Sequence, residues 1–249
     1  MLRRLCKVLR RRASGVAGQR PSALPGAVPG DPPKGRKEPM KYAGMPMGMW
    51  ALFVKSFRVQ LTEVFAIDSA EAGRLAKRAK GKYRQILSEI PAFERGDRFQ
   101  RNIVSAAMLG AFVLCMPQRP TVEGLTNYYE RAMMTPLMRW FCRKSGQKKF
   151  SAADIRGMRE TEKCRAADRN PYSWNMEFYE YPDGSGYEAR FTACGICTLM
   201  QKLGLYDLTP ALCHLDYSMS EAGGASRFVR EYTLASGGPY CDCGYKKKL

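Results

Sequence analysis

The spacing of hydrophobic residues changes along the chain, and between residues 40 and 170 it is the spacing of helices. In the segment 68–91, the inward face of a helix is marked by apolar residues at intervals of three and four: Leu75, Ala79, Tyr83, Ile86 and Ile90. Asp68 stands where a helix is capped, and Pro91 stands where one ends. This part of the chain is therefore predicted to be a helical scaffold.

A second stretch, "IVSAAMLGAFVLCM" at 103–116, is apolar on every side. Its 14 residues are fewer than the roughly 20 that a membrane-spanning helix needs, so it predicts a buried core helix. Thr121 is expected to cap the next helix, and the capping box "SAAD" beginning at Ser151 to start another.

From residue 173 the hydrophobic period becomes two. The segments "SWNMEFYEY" and "YEARFT" alternate on either side of the turn "PDGSG", which predicts a hairpin. Two short helices are expected next, "CGICTLMQKLG" and "TPALCHLDYSMSEAGG", the second with Thr209 as its N-cap. The segments "RFVREYTLA" and "YCDCGYK", joined by the turn "SGGP", predict a second hairpin. The fold class is therefore α+β: N-terminal helices, then hairpin-helix-helix-hairpin, with an antiparallel sheet packed against helices.

Charge changes this picture at the N-terminus. The formal net charge of the 249-residue chain is +18, and residues 1–41 hold eleven Lys and Arg against two acidic residues, so half of the excess lies there. This segment is rich in Pro, Gly and Arg and has no apolar period, which predicts a disordered basic tail ahead of a single domain over 42–249. A transit peptide, a nucleic-acid-binding arm, and sequence upstream of a start at Met40 are alternative interpretations of the tail.

The charge distribution and the number of cysteines also predict the partners and the cellular location of the protein. Because the tail accounts for much of the charge, nucleic acid is not an expected partner; a small-molecule substrate and no membrane are expected. Nine cysteines without an export signal predict a reducing, cytoplasmic location in which the thiols are free. The oligomeric state is left open.

The sequence "CGIC" places Cys194 and Cys197 where a strand gives way to a helix. A thiol at a helix N-terminus is favoured as thiolate by the helix dipole, which makes Cys194 the best candidate nucleophile. The competing interpretation is two small hydrophobic residues that happen to lie three apart. A thioredoxin-like role is disfavoured because no βαβ pattern surrounds the motif.

The following helix offers Cys213 and Asp216, which share a face at i and i+3. His214, the only histidine of the chain, points away from them toward Tyr217. Cys213 and Asp216 are thus better placed than His214 for a pocket between helix and sheet, and the alternative interpretation of Asp216 is a carboxylate that caps local structure.

The chain closes with "CDCG", in which Cys241 and Cys243 are i and i+2 on a strand. Such side chains lie about 6.6–6.8 Å apart, too far for a disulfide between them. A zinc ion would need sulfurs within roughly 4 Å, so a four-cysteine site built from "CGIC" and "CDC" is awkward. No cofactor is therefore expected, and a structural zinc remains an unfavoured alternative.

Four stretches resemble a known family: "LTNYYERAM", "FTAC", "LTPALCHLD" and the terminal "CD" before a basic tail. Together they are similar to the L-2-amino-thiazoline-4-carboxylic acid hydrolase-like family over roughly residues 45–247. The resemblance implies a hydrolase that opens a cyclic amidine to N-carbamoyl-L-cysteine, by thiolate or activated-water attack at C2. The polar positions that match the family's pattern are the implied catalytic candidates: Cys194, Cys213, Asp216, Cys241 and Asp242.

Two cysteines depart from that pattern, Cys197 and Cys243, and are interpreted as local accidents. The substrate's ring carboxylate needs a cation, which Arg190 or Arg230 on the predicted strands could supply. The alternative function is a non-catalytic small-ligand-binding domain of the same fold, with a structural zinc.

Overall fold

The computed structural model describes residues 45–93, 97, 99–166 and 168–248, and these fall within the compact unit Lys41–Leu249. The predicted basic tail therefore lies outside the described residues. Helices fill the first part of this unit: α1 (Met45–Phe65), α2 (Ser69–Ser88), α3 (Gln100–Cys115), α4 (Val122–Met133), α5 (Pro136–Gly146) and α6 (Ala152–Arg165).

The main core forms around α3, because this helix is buried along most of its length, as its unbroken apolar sequence predicts. Aromatic rings from α1 pack on it; the ring centroids of Phe57 and Phe112 are 4.9 Å apart. The predicted caps are confirmed at Asp68, Thr121 and Ser151, whose side chains accept hydrogen bonds from amides of the first helical turn. None of the described helices is long and apolar enough to cross a membrane.

The second part is a four-stranded sheet with three helices between its hairpin and its last two strands. The strands are β1 (Glu177–Glu180), β2 (Gly186–Phe191), β3 (Ser226–Val229) and β4 (Cys241–Lys247), and the helices are α7 (Gly195–Lys202), α8 (Pro210–Cys213) and α9 (Leu215–Gly223). All pairs are antiparallel, in the order β1-β2-β4-β3. The predicted α+β class is confirmed.

Register decides which side chains share a face of the sheet. Cys243 lies opposite Ala189 on β2, and Cys241 lies opposite Phe191. Ala189 belongs to a cluster packed against Ile155 of α6, so this face is covered by helices. Neighbouring residues of a strand point to opposite faces, which places Arg190 and its partner Asp242 on the other face of the sheet.

Two local predictions are wrong. The segment predicted as the first strand of the second hairpin leaves the sheet after Val229, and the connection to β4 is an eleven-residue loop with a 3-10 turn at Leu234–Ser236 rather than a tight "SGGP" turn. The helix predicted from Thr209 is broken at His214 into α8 and α9. Thr209 does not cap it: its backbone is already helical, and its buried hydroxyl has no partner among the described residues.

Candidate active site

Cys194 lies at the start of α7 because two local features fix the chain there. The side-chain oxygen of Asn175 accepts hydrogen bonds from the amides of Thr192 (2.9 Å) and Ala193 (2.7 Å), which holds the segment between β2 and α7. Gly195 then packs directly on the carbonyl of Tyr172, where a Cβ would collide with backbone atoms. Cys194 is thereby left as the extended N-cap residue of the helix.

The environment of Cys194 favours its thiolate. The pKa of Cys194 is lowered to about 7, mainly by the hydrogen bond that the Cys197 thiol donates. Burial opposes this shift, while the amides of Cys197 and Ile196 and the indole of Trp174 add to it. The amide contacts are looser than a formed cap hydrogen bond, so the partner thiol is the decisive donor. The pKa of Cys197 is raised by the same hydrogen bond and by burial, so this residue stays protonated.

Three further thiols lie in the same region, and all of them are held neutral. The negative charges of Cys213 and Cys241 would each raise the pKa of Cys197, which shows that these side chains are near one another. Burial is the main reason why the pKa values of Cys213, Cys241 and Cys243 are raised. The pKa of Cys243 is raised to about 12. No disulfide links the described cysteines.

Arg230 organises the neighbouring part of the site. Its guanidinium donates to the carboxylate of Asp216 (2.7 Å), the sulfur of Cys243 (2.9 Å) and the carbonyls of Cys213 (3.0 Å) and Asp242 (3.2 Å). The Arg230 side chain is 6% exposed and that of Asp216 is 41% exposed. Although desolvation opposes it, the charges of Cys243 and Asp216 raise the pKa of Arg230. Four of the five N–H groups of a guanidinium are thus used within the protein.

The larger pocket, of about 470 Å³, has both cysteines of "CGIC" in its wall. Its lining residues come from the segment after β2, from α7 and from the 3-10 turns Tyr206–Leu208 and Leu234–Ser236: Thr192, Ala193, Cys194, Cys197, Thr198, Gln201, Tyr206 and Leu234. Tyr206 closes one side of the pocket by donating a hydrogen bond to the carbonyl of Leu234 at 2.8 Å. The pKa of Tyr206 is raised by burial and by the charges of the neighbouring thiols.

A smaller pocket of about 140 Å³ adjoins the same loop between β3 and β4. It is lined by Pro210, Cys213, His214, Tyr217, Arg230, Thr233 and Ser236. The ring of His214 stacks on that of Tyr217 at 5.6 Å between centroids, which is the orientation predicted from the helical pattern. Cys213 and Arg230 therefore line a different cavity from Cys194.

Two of the predicted site residues lie elsewhere. Arg190 forms an ion pair with Glu188, and its guanidinium lies 4.9 Å from the ring centroids of Tyr179 and Tyr240, all away from the thiols. The carboxylate of Asp242 accepts hydrogen bonds from the amides of Glu231 (2.7 Å) and Tyr232 (2.6 Å), so it fixes the β3–β4 loop instead of facing a pocket.

Cys241 and Cys243 have structural contacts of their own. Leu234 donates its amide to the sulfur of Cys241 at 3.2 Å, and Cys243 accepts from Arg230. The carboxylate of Asp216 accepts a hydrogen bond from the buried guanidinium of Arg230 and lines neither pocket. Cys194 is thus the best placed of the predicted nucleophiles.

Sequence reasoning missed several residues of this site. Asn175 and Tyr206 gave no signal beyond their polarity, and Trp174 was predicted only as one position of the alternating segment "SWNMEFYEY". Cys197 was interpreted as an accident, yet it is the main partner of the Cys194 thiolate. Its spacing of three from a helix N-cap was the signal that could have identified it.

The described residues around the two pockets do not form a metal-binding site. Among residues 45–93, 97, 99–166 and 168–248, no group of three or more His, Cys, Asp or Glu side chains is arranged to hold a metal ion. Cys194 and Cys197 are hydrogen-bonded to each other, and the sulfur of Cys241 accepts from the amide of Leu234.

Comparison with known proteins bears on the part of the chain that forms this site. The model of the L-2-amino-thiazoline-4-carboxylic acid hydrolase family matches residues 101–245, which include every residue of both pockets. No curated protein and no solved structure matches this chain.

Proposed function

Because the chain belongs to the L-2-amino-thiazoline-4-carboxylic acid hydrolase family, we propose that it hydrolyses a small cyclic amidine of that type, with Cys194 as the nucleophile. The observation that supports this most is the lowered pKa of Cys194 in the wall of a pocket of about 470 Å³. A thiol half ionised near neutral pH is a strong nucleophile, and pockets of this size suit small ligands.

In the first half of the proposed reaction, the Cys194 sulfur attacks C2 of L-2-amino-thiazoline-4-carboxylate. The tetrahedral adduct breaks its bond between C2 and the ring sulfur, which leaves as a thiol. Cys197 is suited to donate the proton to that sulfur, because it is protonated beside the reacting thiolate and the hydrogen bond that raises its pKa is lost when that thiolate attacks. The product of this half is an isothiourea that joins Cys194 to the opened substrate.

In the second half, water adds to the same carbon and the Cys194 thiolate leaves. The oxygen of the water becomes the carbonyl of N-carbamoyl-L-cysteine, and one of its protons returns to Cys197. One water is consumed in total, and both cysteines return to their starting states.

The substrate carboxylate has polar partners in the same pocket. Thr198 and Gln201 on α7 present a hydroxyl and an amide along its wall, and among the described residues the hydroxyl is held only by a 3.4 Å hydrogen bond to the carbonyl of Cys194. We assign these two residues to carboxylate binding in place of Arg230, which lines the smaller pocket and already donates to four acceptors.

The test is to incubate the purified protein with L-2-amino-thiazoline-4-carboxylate and to measure N-carbamoyl-L-cysteine by mass spectrometry. We expect product formation and, on rapid acid quenching, a peptide containing Cys194 that has gained the mass of the substrate. The D enantiomer serves as the control substrate. Product formation without any adduct on Cys194, together with undiminished activity of Cys194→Ser, would contradict the thiolate mechanism.

A further inference from the structure

Helix α5 exposes large hydrophobic side chains to solvent. Leu137, Trp140 and Phe141 are 44%, 46% and 51% exposed, and the two rings pack edge to face with centroids 5.0 Å apart. Such side chains are normally buried, so a contiguous group of them on one helix marks a surface that contacts something else.

The helical repeat collects these residues on one side. At 100° per residue, Leu137, Trp140, Phe141 and Lys144 fall within about 100° of one another, and we call this set the α5 stripe. The opposite side of the helix is its buried face. There, Gly146 packs so closely on Gly223 of α9 that a Cβ would collide with its carbonyl. The stripe therefore points away from the body of the domain.

The sequence around the stripe is rich in cations. The 23 residues from 131 to 153 include six Lys or Arg and no Asp or Glu, and of these six Arg131 is paired with Glu63. Arg143 and Lys144 of the helix and Lys148 just beyond it are exposed. An aromatic and aliphatic face flanked by cations is the composition of helices that lie in the interface of an anionic bilayer.

Other occupants of the stripe fit the charge less well. A second copy docked by two-fold symmetry would bring two sets of exposed cations, Arg143, Lys144 and Lys148, together without a carboxylate of the same segment between them. The N-terminal segment 1–41 is itself strongly basic and would be repelled in the same way. Nucleic acid could use the charges and the aromatic rings, but not the exposed aliphatic side chain of Leu137.

We propose that the α5 stripe binds the surface of an anionic lipid bilayer, with Leu137, Trp140 and Phe141 inserted among the headgroups and the neighbouring Lys and Arg on lipid phosphates. This contact is peripheral, so it agrees with the finding that no described helix could cross a membrane. It changes the expectation from the sequence: the protein would contact a membrane surface without spanning the membrane. It is independent of the proposed reaction.

The intrinsic fluorescence of the full chain provides the first test. The protein has three tryptophans, of which Trp50 and Trp174 are buried and Trp140 is exposed. We expect vesicles of phosphatidylcholine with phosphatidylserine to shift the emission to shorter wavelength and to protect Trp140 from acrylamide, whereas phosphatidylcholine alone should do neither. Trp140→Phe should still sediment with the vesicles but should lose the spectral shift. An unchanged wild-type spectrum with the anionic vesicles would overturn the proposal.

Co-sedimentation of variants tests the hydrophobic part. The pair Trp140→Ala and Phe141→Ala should lower the partition coefficient at least tenfold, because both rings would leave the interface. The matched control is the pair Leu52→Ala and Val59→Ala, exposed hydrophobic residues of α1, which should leave binding within about twofold. Equal loss in both pairs would overturn the assignment to α5.

The charges are tested with two double variants that have the same net charge. Arg143→Gln with Lys144→Gln should weaken binding by more than tenfold, at about fivefold for each cation removed. Lys77→Gln with Arg84→Gln removes the same charge from exposed positions of α2 and should change it much less. Equal loss of vesicle binding in the two charge variants would overturn the proposal. So would protection of Trp140 from acrylamide by a single-stranded oligonucleotide but not by vesicles. A protein dimer that dissociates when Trp140→Ala is introduced would also overturn it.

Discussion

The thiols around the two pockets divide by the direction of their pKa shifts into Cys194, whose pKa is lowered, and the others, whose pKa values are raised. Cys194 and Cys197 lie on the first turn of α7, and the first of them has a pKa lowered to about 7. Cys213, Cys241 and Cys243 lie on α8 and β4, and burial raises the pKa of each. Both groups are largely buried, so burial does not separate them. The difference is that Cys194 accepts hydrogen bonds from a thiol, an indole and helix amides, whereas the other three have fewer donors to offset desolvation.

The comparison predicts its largest effect at Cys194. Cys194→Ser should lower kcat/KM for the thiazoline acid at least about a thousandfold, because a hydroxyl in this position is scarcely ionised. Cys213→Ser is the matched control, and we expect it to retain activity within about tenfold. Steady-state assays of both variants, with circular dichroism as a check on folding, make the comparison. If Cys213→Ser lost as much activity as Cys194→Ser, the division of the thiols into two groups would be wrong.

The next effect is on stability and concerns Arg230. Arg230→Met removes the donors to Asp216, Cys243 and two backbone carbonyls. We expect the free energy of unfolding to fall by about 2 kcal/mol, less than for a fully buried pair because Asp216 is partly exposed. Urea unfolding measures this change. Arg230→Lys should recover part of the loss, and wild-type stability in Arg230→Met would show that the hydrogen bonds around Asp216 contribute nothing.

Removing the thiol of Cys197 should change the pH dependence of Cys194 alkylation. In the wild type, alkylation of Cys194 by iodoacetamide should be half-maximal near pH 7, since the thiolate is the reactive form. In Cys197→Ala the thiolate loses its main donor, so its pKa should rise and the midpoint should move upward by about one pH unit.

Peptide mass spectrometry follows Cys194 separately from the other cysteines in that experiment. Cys115→Ala on α3, whose thiol is not among the groups that shift the pKa of Cys194, is the control and should leave the midpoint in place. A midpoint that stays near pH 7 in Cys197→Ala would mean that the helix amides alone stabilise the thiolate.

Much of the fold could be predicted from the sequence, because helix caps and hydrophobic periods depend only on residues close together in the chain. Asp68, Thr121 and Ser151 cap helices through amides two or three residues away, and each prediction is confirmed. The end of β3 could not be predicted in this way. Arg230 leaves the strand because its partners, Asp216 and Cys243, come from other elements.

The candidate site was partly predictable for the same reason. Cys194 could be identified because a helix N-terminus acts within one turn. Cys241 and Asp242 were grouped as one signature, although adjacent residues of a strand must face opposite ways, and the structure places them so. The position of Arg190 required the β2–β4 register, which no local pattern contains.

Arg190 supplies the smallest expected effect and the sharpest contrast with Arg230. Its guanidinium is engaged by Glu188, Tyr179 and Tyr240 on the face of the sheet opposite the thiols. Arg190→Met should therefore change KM for the thiazoline acid by less than about twofold, and the free energy of unfolding by less than 1 kcal/mol because the ion pair is partly exposed. Thr198→Val, in the pocket wall, should raise KM severalfold by removing a hydroxyl near the proposed carboxylate position. If Arg190→Met raised KM more than Thr198→Val, the substrate would bind on the other face of the sheet.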